Sequence, residues 1–383
     1  MPNKTATTDQ LLDQLKKLAE MPLNQATSLP SSVYVSEDFL RLEEQEIFYK
    51  QWICAGRADV IPNPGDYLTH HLAYQPVTVM RQKSGEIKAY SNVCLHRMMR
   101  LLENRGHCEK IVCPYHGWTY DIEGKLIGAP HMHENPHFKA SDYVLPPIRS
   151  EIWEGWIYLT LDQDIPPVKE QLSSLQEIVR NYRMAGYQHV VQQDYEWVGN
   201  WKQLVENFIE GYHLPVTHST TVGEHLTVGE TRFPENPHHP IFTYQTFTKA
   251  YGARIGRAHE NNTTLTQEQR NTSMLIGVFP THLFVLAPDH LWYISIQPKG
   301  TGQIYIRYGS AIAPEVLAAS QNRELLINEV SDILDQVNEE DRIIIEGLYK
   351  GANAPLSKPG LLCWLEQQNH EFIQYLAKHL CKS

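Results

Sequence analysis

Residues 94–116 constrain this chain more than any other stretch. Cys94 and His96 form a C-x-H motif, and after sixteen intervening residues Cys113 and His116 form C-x-x-H. Two thiolates and two imidazoles bind metal in two common ways. Zinc takes such a set tetrahedrally, but zinc fingers usually open with two cysteines two to four residues apart. A [2Fe–2S] centre of mixed ligation puts two cysteines on one iron and two histidines on the other. Each short motif here offers one ligand of each kind, which suits the second arrangement. A pair of β-hairpin loops can present them from opposite sides.

The surrounding texture agrees. From Ala55 to Asp162, short β-type runs such as PVTVMRQ, IKAYSNV and GWIYLTL alternate with Gly, Pro and Asn turns. Pro166 and Pro167 mark a boundary. Helices are expected over residues 9–20 and 41–52, from Asn200 onward, and over the closing residues. Residues 240–312 read as strands. The segments ENPHHP and RAHENNTTLTQEQRN read as polar loops over a pocket. The other thiols, Cys54, Cys108, Cys363 and Cys381, have no histidine at ligand spacing and read as structural.

A second constellation lies in GNWKQLVENFIEGYHLPVTH. Trp201, Leu204, Val205, Phe208, Ile209 and Tyr212 recur at helical spacing, with Asn200 and Gln203 placed as a capping box. A second stripe carries Gln203, Glu206, Glu210 and His213. Pro215 disfavours continuation of the helix, so the chain is expected to turn there and return His218 to His213. Two histidines flanking a helix break suit one metal.

A 2-His-1-carboxylate site needs an acid from elsewhere. The segment LINEVSDILDQVNEEDRIIIEGL offers Asp332, Asp335, Glu339, Glu340 and Asp341. At about 100° per residue, Asp341 falls roughly 20° from the centre of the apolar stripe and Glu340 about 80° off it. An acid on a buried face is costly unless it is paired or binds metal. Asp341 is therefore the expected third ligand.

CPYHGWTYD and Glu210-x2-His213-x4-His218 together resemble the Rieske non-haem iron oxygenases, the ring-hydroxylating oxygenase alpha subunits. The resemblance runs from IFYKQW to the closing helix and implies an α+β protein. A Rieske β-sandwich domain (49–162) would carry the [2Fe–2S] cluster on Cys94, His96, Cys113 and His116. A helix-grip (START-like) catalytic domain with a curved antiparallel sheet (1–48 and 163–383) would hold a mononuclear Fe(II) on His213, His218 and Asp341. Glu210 would join the iron site to a Rieske histidine, His116 or His96, of a neighbouring subunit in a homotrimer. Most of the family has Asp there; Glu occurs in a branch acting on quaternary ammonium compounds such as carnitine. Met98 departs from the family, which commonly has Gly at that place.

The remaining sequence narrows the function class. A net charge of −11 argues against a nucleic-acid partner. No apolar run reaches the roughly 20 residues that span a bilayer, and the N-terminal segment lacks the apolar stretch of a secretory signal. A cytoplasmic protein is expected. No Gly-rich dinucleotide fingerprint follows a strand, so the electrons for O2 would come from a separate reductase, with or without a ferredoxin. A Rieske electron carrier would use the first constellation and leave the second idle; a zinc-stabilised binding module would be colourless. Tyr244, Phe247, Phe284, Trp292, Tyr293 and Tyr308 are aromatic candidates for a substrate pocket.

Overall fold

The structure, a computed structural model, describes residues 6–225, 229, 231–234, 239–248 and 256–381. The chain divides into two compact units: Phe48–Val168, and the segments before and after it. Residues 163–168 belong to the smaller unit. There Trp52 Nε1 donates to Pro166 O at 2.9 Å, and Glu151 accepts from the N–H of Val168 at 2.8 Å.

The smaller unit contains a seven-stranded antiparallel sheet and a three-stranded one. The three-stranded sheet comprises Lys110–Val112, Thr119–Asp121 and Leu126–Gly128. Its first hairpin carries Cys113 and His116 at the turn. Cys94 and His96 follow the strand Ile87–Ser91. Tyr90, Leu101, Trp118, Tyr120 and Leu145 pack with Cys94 and Cys113 in one buried cluster, so apolar burial anchors both loops.

The larger unit is built on a second seven-stranded antiparallel sheet. Its order is Gln188–Val198, Gln303–Ile312, His290–Pro298, His282–Leu286, Thr272–Val278, Phe242–Thr248 and Thr231–Arg232. The first strand, QHVVQQDYEWV, is an edge strand with little buried side chain, and six of its eleven residues are polar. The 30-residue helix Arg323–Ala352 packs on that side of the sheet. Only Leu334, Asn338, Asp341 and Ile345 on it are fully buried, at spacings of four, three and four, so one narrow stripe faces inward. The helix expected over 41–52 starts earlier, at Glu37, because Ser36 caps it by accepting from Phe39 N–H, and its last turn ends at Phe48. The loop expectation at ENPHHP falls mostly outside the described residues, at 235–238.

The helix Trp201–Phe208 opens with the capping box of Asn200 and Gln203. It is tied to the N-terminal segment by a buried ion pair. Lys202 Nζ lies 2.7 Å and 3.0 Å from the two oxygens of Glu43, both residues are fully buried, and Trp201 Nε1 also donates to Glu43 at 2.9 Å. Removing one member of a buried pair strands the other. Lys202→Met is therefore expected to destabilise the protein by about 3–5 kcal/mol. Urea unfolding measures this, and a loss below about 1 kcal/mol would show that the pair contributes little to the fold.

Candidate metal centres and substrate cavity

The two cysteine loops share one hydrogen-bond scheme. Cys94 N–H donates to Met99 O at 2.8 Å and Met98 N–H to Cys94 O at 3.0 Å. Likewise Cys113 N–H donates to Trp118 O at 2.8 Å and Gly117 N–H to Cys113 O at 3.1 Å. Met98 and Gly117 therefore hold equivalent positions, and both have positive φ, 57° and 70°. A side chain in the left-handed region is strained, and Met98 is 83% exposed, so it gains little from packing in return. Met98→Gly is expected to raise stability by up to about 1 kcal/mol, read as an upward shift in the thermal midpoint of the holoprotein. A lowered midpoint would show that the methionine side chain matters more than the strain.

Both sulfurs are buried, and both imidazoles, His96 and His116, are exposed. Burial pushes the Cys113 thiol up, the backbone N–H groups of Tyr115 and His116 oppose this, and Cys94 adds to it. The Tyr120 hydroxyl accepts from Leu95 N–H at 3.0 Å and lies 3.5 Å from Cys94 Sγ. The His96 ring stacks on Trp118 at 4.9 Å and meets the His116 ring at 4.7 Å. Two inner thiols and two outer imidazoles, held by matched loops, fit a cluster with one all-sulfur iron and one imidazole iron.

The second site is assembled from a loop and a helix. The helix Trp201–Phe208 stops before Glu210, so Glu210 and His213 do not share its face as the sequence suggested. Pro215 is not the break: it lies in the first turn of a new short helix, Leu214–Thr217, and His218 follows directly. This turn brings the His213 and His218 rings to 5.2 Å. Asp341 Oδ1 lies 3.2 Å from His218 Nε2 and 3.9 Å from His213 Nε2. One ligand atom from each residue falls within 4.8 Å of the others. Asp341 Oδ1 is buried and finds no hydrogen bond of good geometry among the described residues. An orphaned carboxylate oxygen between two imidazole nitrogens fits a cation.

The outer nitrogens are held too. Glu210 Oε1 pairs with His213 Nδ1 at 2.5 Å, and its Oε2 accepts from the backbone N–H groups of Tyr212 and His213. Glu340 Oε2 pairs with His218 Nδ1 at 2.7 Å and accepts from Thr221 Oγ1 at 2.7 Å. A carboxylate on Nδ1 leaves Nε2 free for metal, the usual arrangement around metal-binding histidines. Burial disfavours charged His218, but Asp341 and Glu340 outweigh it and hold its pKa above the usual imidazole value. Glu340 falls off the apolar stripe, so periodicity alone passes over it. An acid beside a ligand-bearing stripe position was the available signal for it.

An apolar cavity of about 110 Å³ adjoins this site. Its lining includes His213, His218 and Asp341 together with Phe208, Phe247, Leu275, Val285, His290, Trp292 and Leu334. Of the aromatic candidates, Phe247, Trp292 and Tyr293 line it. Phe284 is fully buried elsewhere, and Tyr308 stacks on Tyr195 and donates to Asp335 at 2.6 Å. Residues 257–271 contribute nothing to the described lining. Arg270 pins that loop by donating to Asn262 O and His259 O.

Residues 184–382 match the family model of the ring-hydroxylating alpha subunit (catalytic domain). The chain belongs to that family. Residues 51–143 match the Rieske [2Fe–2S] domain, so the cofactors are a Rieske cluster and a mononuclear iron. The oxygenase subunit of glycine betaine monooxygenase from Pseudomonas aeruginosa is 33% identical over 218 residues, which cover 57% of this chain and 48% of that protein. The oxygenase subunit of carnitine monooxygenase from Escherichia coli is 26% identical over 197 residues, covering 51% and 53%. The chain thus matches about half the length of these relatives. The fold is that of a quaternary ammonium Rieske monooxygenase (TM-score 0.79, 20% identity, 95% of this chain and 98% of that one). Naphthalene 1,2-dioxygenase from Rhodococcus shares it (TM-score 0.79, 19% identity, 98% of each chain). Among the described residues, no helix is long and apolar enough to cross a membrane.

Proposed function

We propose that this chain is the terminal oxygenase component of a system that oxidises a small methylated amine, hydroxylating an N-methyl carbon that then leaves as formaldehyde. The observation that carries this reading is the cavity: His213, His218 and Asp341 lie in one part of a lining that is otherwise largely apolar and aromatic. In this reading Cys94, Cys113, His96 and His116 hold the cluster, and His213, His218 and Asp341 hold the iron. Once bound, these groups supply electron transfer and O2 activation at the positions the triad leaves open. Glu210 and Glu340 fix which nitrogen of each histidine is free. Phe247 and Trp292 offer ring faces that attract a quaternary ammonium. Relatives named for glycine betaine and carnitine support that substrate class. A separate reductase would supply electrons, and a cytoplasmic homotrimer is the assembly proposed.

The test is single turnover. Holoenzyme whose cluster has been chemically reduced is mixed with O2 and glycine betaine, carnitine or choline, and formaldehyde is measured beside the visible spectrum. Formaldehyde matching cluster oxidation is expected for one of them. No product from any amine would remove this substrate class, and an iron content of two per chain with no turnover after iron is added would leave only an electron carrier.

Glu210 has a second proposed task, joining the iron site to a Rieske histidine of a neighbouring subunit. Glu210→Gln keeps the size of the side chain but has one acceptor oxygen, while His213 Nδ1 and Tyr212 N–H both need one. Iron affinity is expected to fall about 10-fold. Cluster oxidation in single turnover should slow far more than that, measured with iron restored to saturation. An unchanged rate would confine Glu210 to orienting His213.

A further inference from the structure

We infer that the sheet wall of the cavity holds a subsite for a substrate carboxylate, built from His290, Trp292 and Ser273. This rests on the small-amine reading above and narrows it to zwitterions that carry an acid as well as the methylated nitrogen.

His290 is nine-tenths buried and lines the cavity. Its Nδ1 pairs with Asp289 Oδ1 at 2.7 Å, and Asp289 Oδ2 accepts from Gly256 N–H at 2.8 Å. Burial raises the pKa of Asp289, but His290 and that amide outweigh it, so the carboxyl stays below its ordinary range. A fixed anion therefore stands behind the imidazole. Among the described residues His290 Nε2 has no hydrogen-bond partner. An imidazole with Asp289 on one nitrogen and a second carboxylate on the other satisfies both from a doubly protonated ring.

The neighbours on this face point to the same ligand. Trp292 lies two residues along the strand, so its side chain shares the face of His290, with the rings 4.8 Å apart. Trp292 Nε1 is buried without a partner among the described residues. Ser273 shares this face by register: Leu275 pairs with Val285 and Val285 with Trp292, and Ser273 is two residues from Leu275. Ser273 Oγ is also buried without a partner among the described residues. Leu275, Val285 and Ile294 complete this wall and bring no acceptor side chain. Three polar groups that the described residues leave unpaired in an apolar cavity are costly unless the ligand pairs them. In this reading the iron occupies His213, His218 and Asp341, so the donors left for a substrate carboxylate are those around His290. A zwitterion seated this way presents its methyl groups toward the triad.

Calorimetric titration of the holoenzyme with two matched pairs tests the subsite: glycine betaine against choline, and benzoate against benzyl alcohol. Glycine betaine is expected to bind at least about tenfold more tightly than choline, the scale of one charged hydrogen bond. His290→Gln and Trp292→Phe should each remove most of that preference while the visible spectrum persists. Trp292→Phe keeps an aromatic ring, so it remains informative if the His290 variant misfolds. Equal binding of glycine betaine and choline overturns the subsite and leaves the amine reading standing. Preference for benzoate with no binding of either amine removes the amine reading and leaves the subsite. A preference unchanged in both variants, or no binding of either carboxylate, overturns the subsite.

Discussion

Asp341→Ala is expected to lose the mononuclear iron and all turnover while keeping the visible spectrum of the cluster. Asp341 is nine-tenths buried, and its Oδ1 lies within 3.9 Å of both His213 Nε2 and His218 Nε2. Two imidazoles alone make a poor site for Fe(II), which prefers an added carboxylate. The proposed cluster ligands come from the other compact unit, so the cluster should assemble regardless. The measurements are iron per chain after gel filtration, visible absorbance and single-turnover product. Glu340→Ala is the informative companion. It removes the partner of His218 Nδ1 but no ligand, so iron affinity should fall about 10–100-fold and excess iron should restore turnover. Normal iron and activity in Asp341→Ala, with unrecoverable loss in Glu340→Ala, would mean that the acids have exchanged roles.

The second large effect is expected from Cys113→Ser, which should abolish the red-brown colour and with it all electron supply. A hydroxyl is a poor replacement for thiolate on iron. The site is also buried, so solvent has little room to supply a substitute ligand: Cys113 is 3% exposed. Cys108→Ser serves as the control, because Cys108 is half-buried and outside both cysteine loops. Its colour should match the parent protein. Retention of the visible spectrum in Cys113→Ser would refute the cluster assignment.

The legibility of this protein in its sequence follows the range of the interactions involved. Cys94, His96, Cys113 and His116 are readable because each loop presents its pair of donors locally, through hydrogen bonds that close within five residues. The Asn200 capping box is local for the same reason. Asp341 was accessible through periodicity, since a charged residue on a buried helical stripe is conspicuous. Local reasoning failed where the backbone was decided by distant contacts. The helix after Asn200 was expected to run on to His213, but it ends at Phe208. The strand Gln188–Val198, six of whose eleven residues are polar, pairs along its whole length with Gln303–Ile312, more than a hundred residues away.

Spacing and periodicity by themselves therefore pointed to two candidate donor sets, and the resemblance those motifs carry implied the α+β class, because metal-ligand chemistry and amphipathic periodicity are properties of neighbouring residues. Which groups stand around those donors was decided only in three dimensions. Glu340 reaches His218 across 122 positions of sequence. His290, Trp292 and Ser273 come to one wall through the register of three strands. A long-range pairing rewards no local preference, so the sequence carries no short-range trace of it until the sheet and the helix have packed.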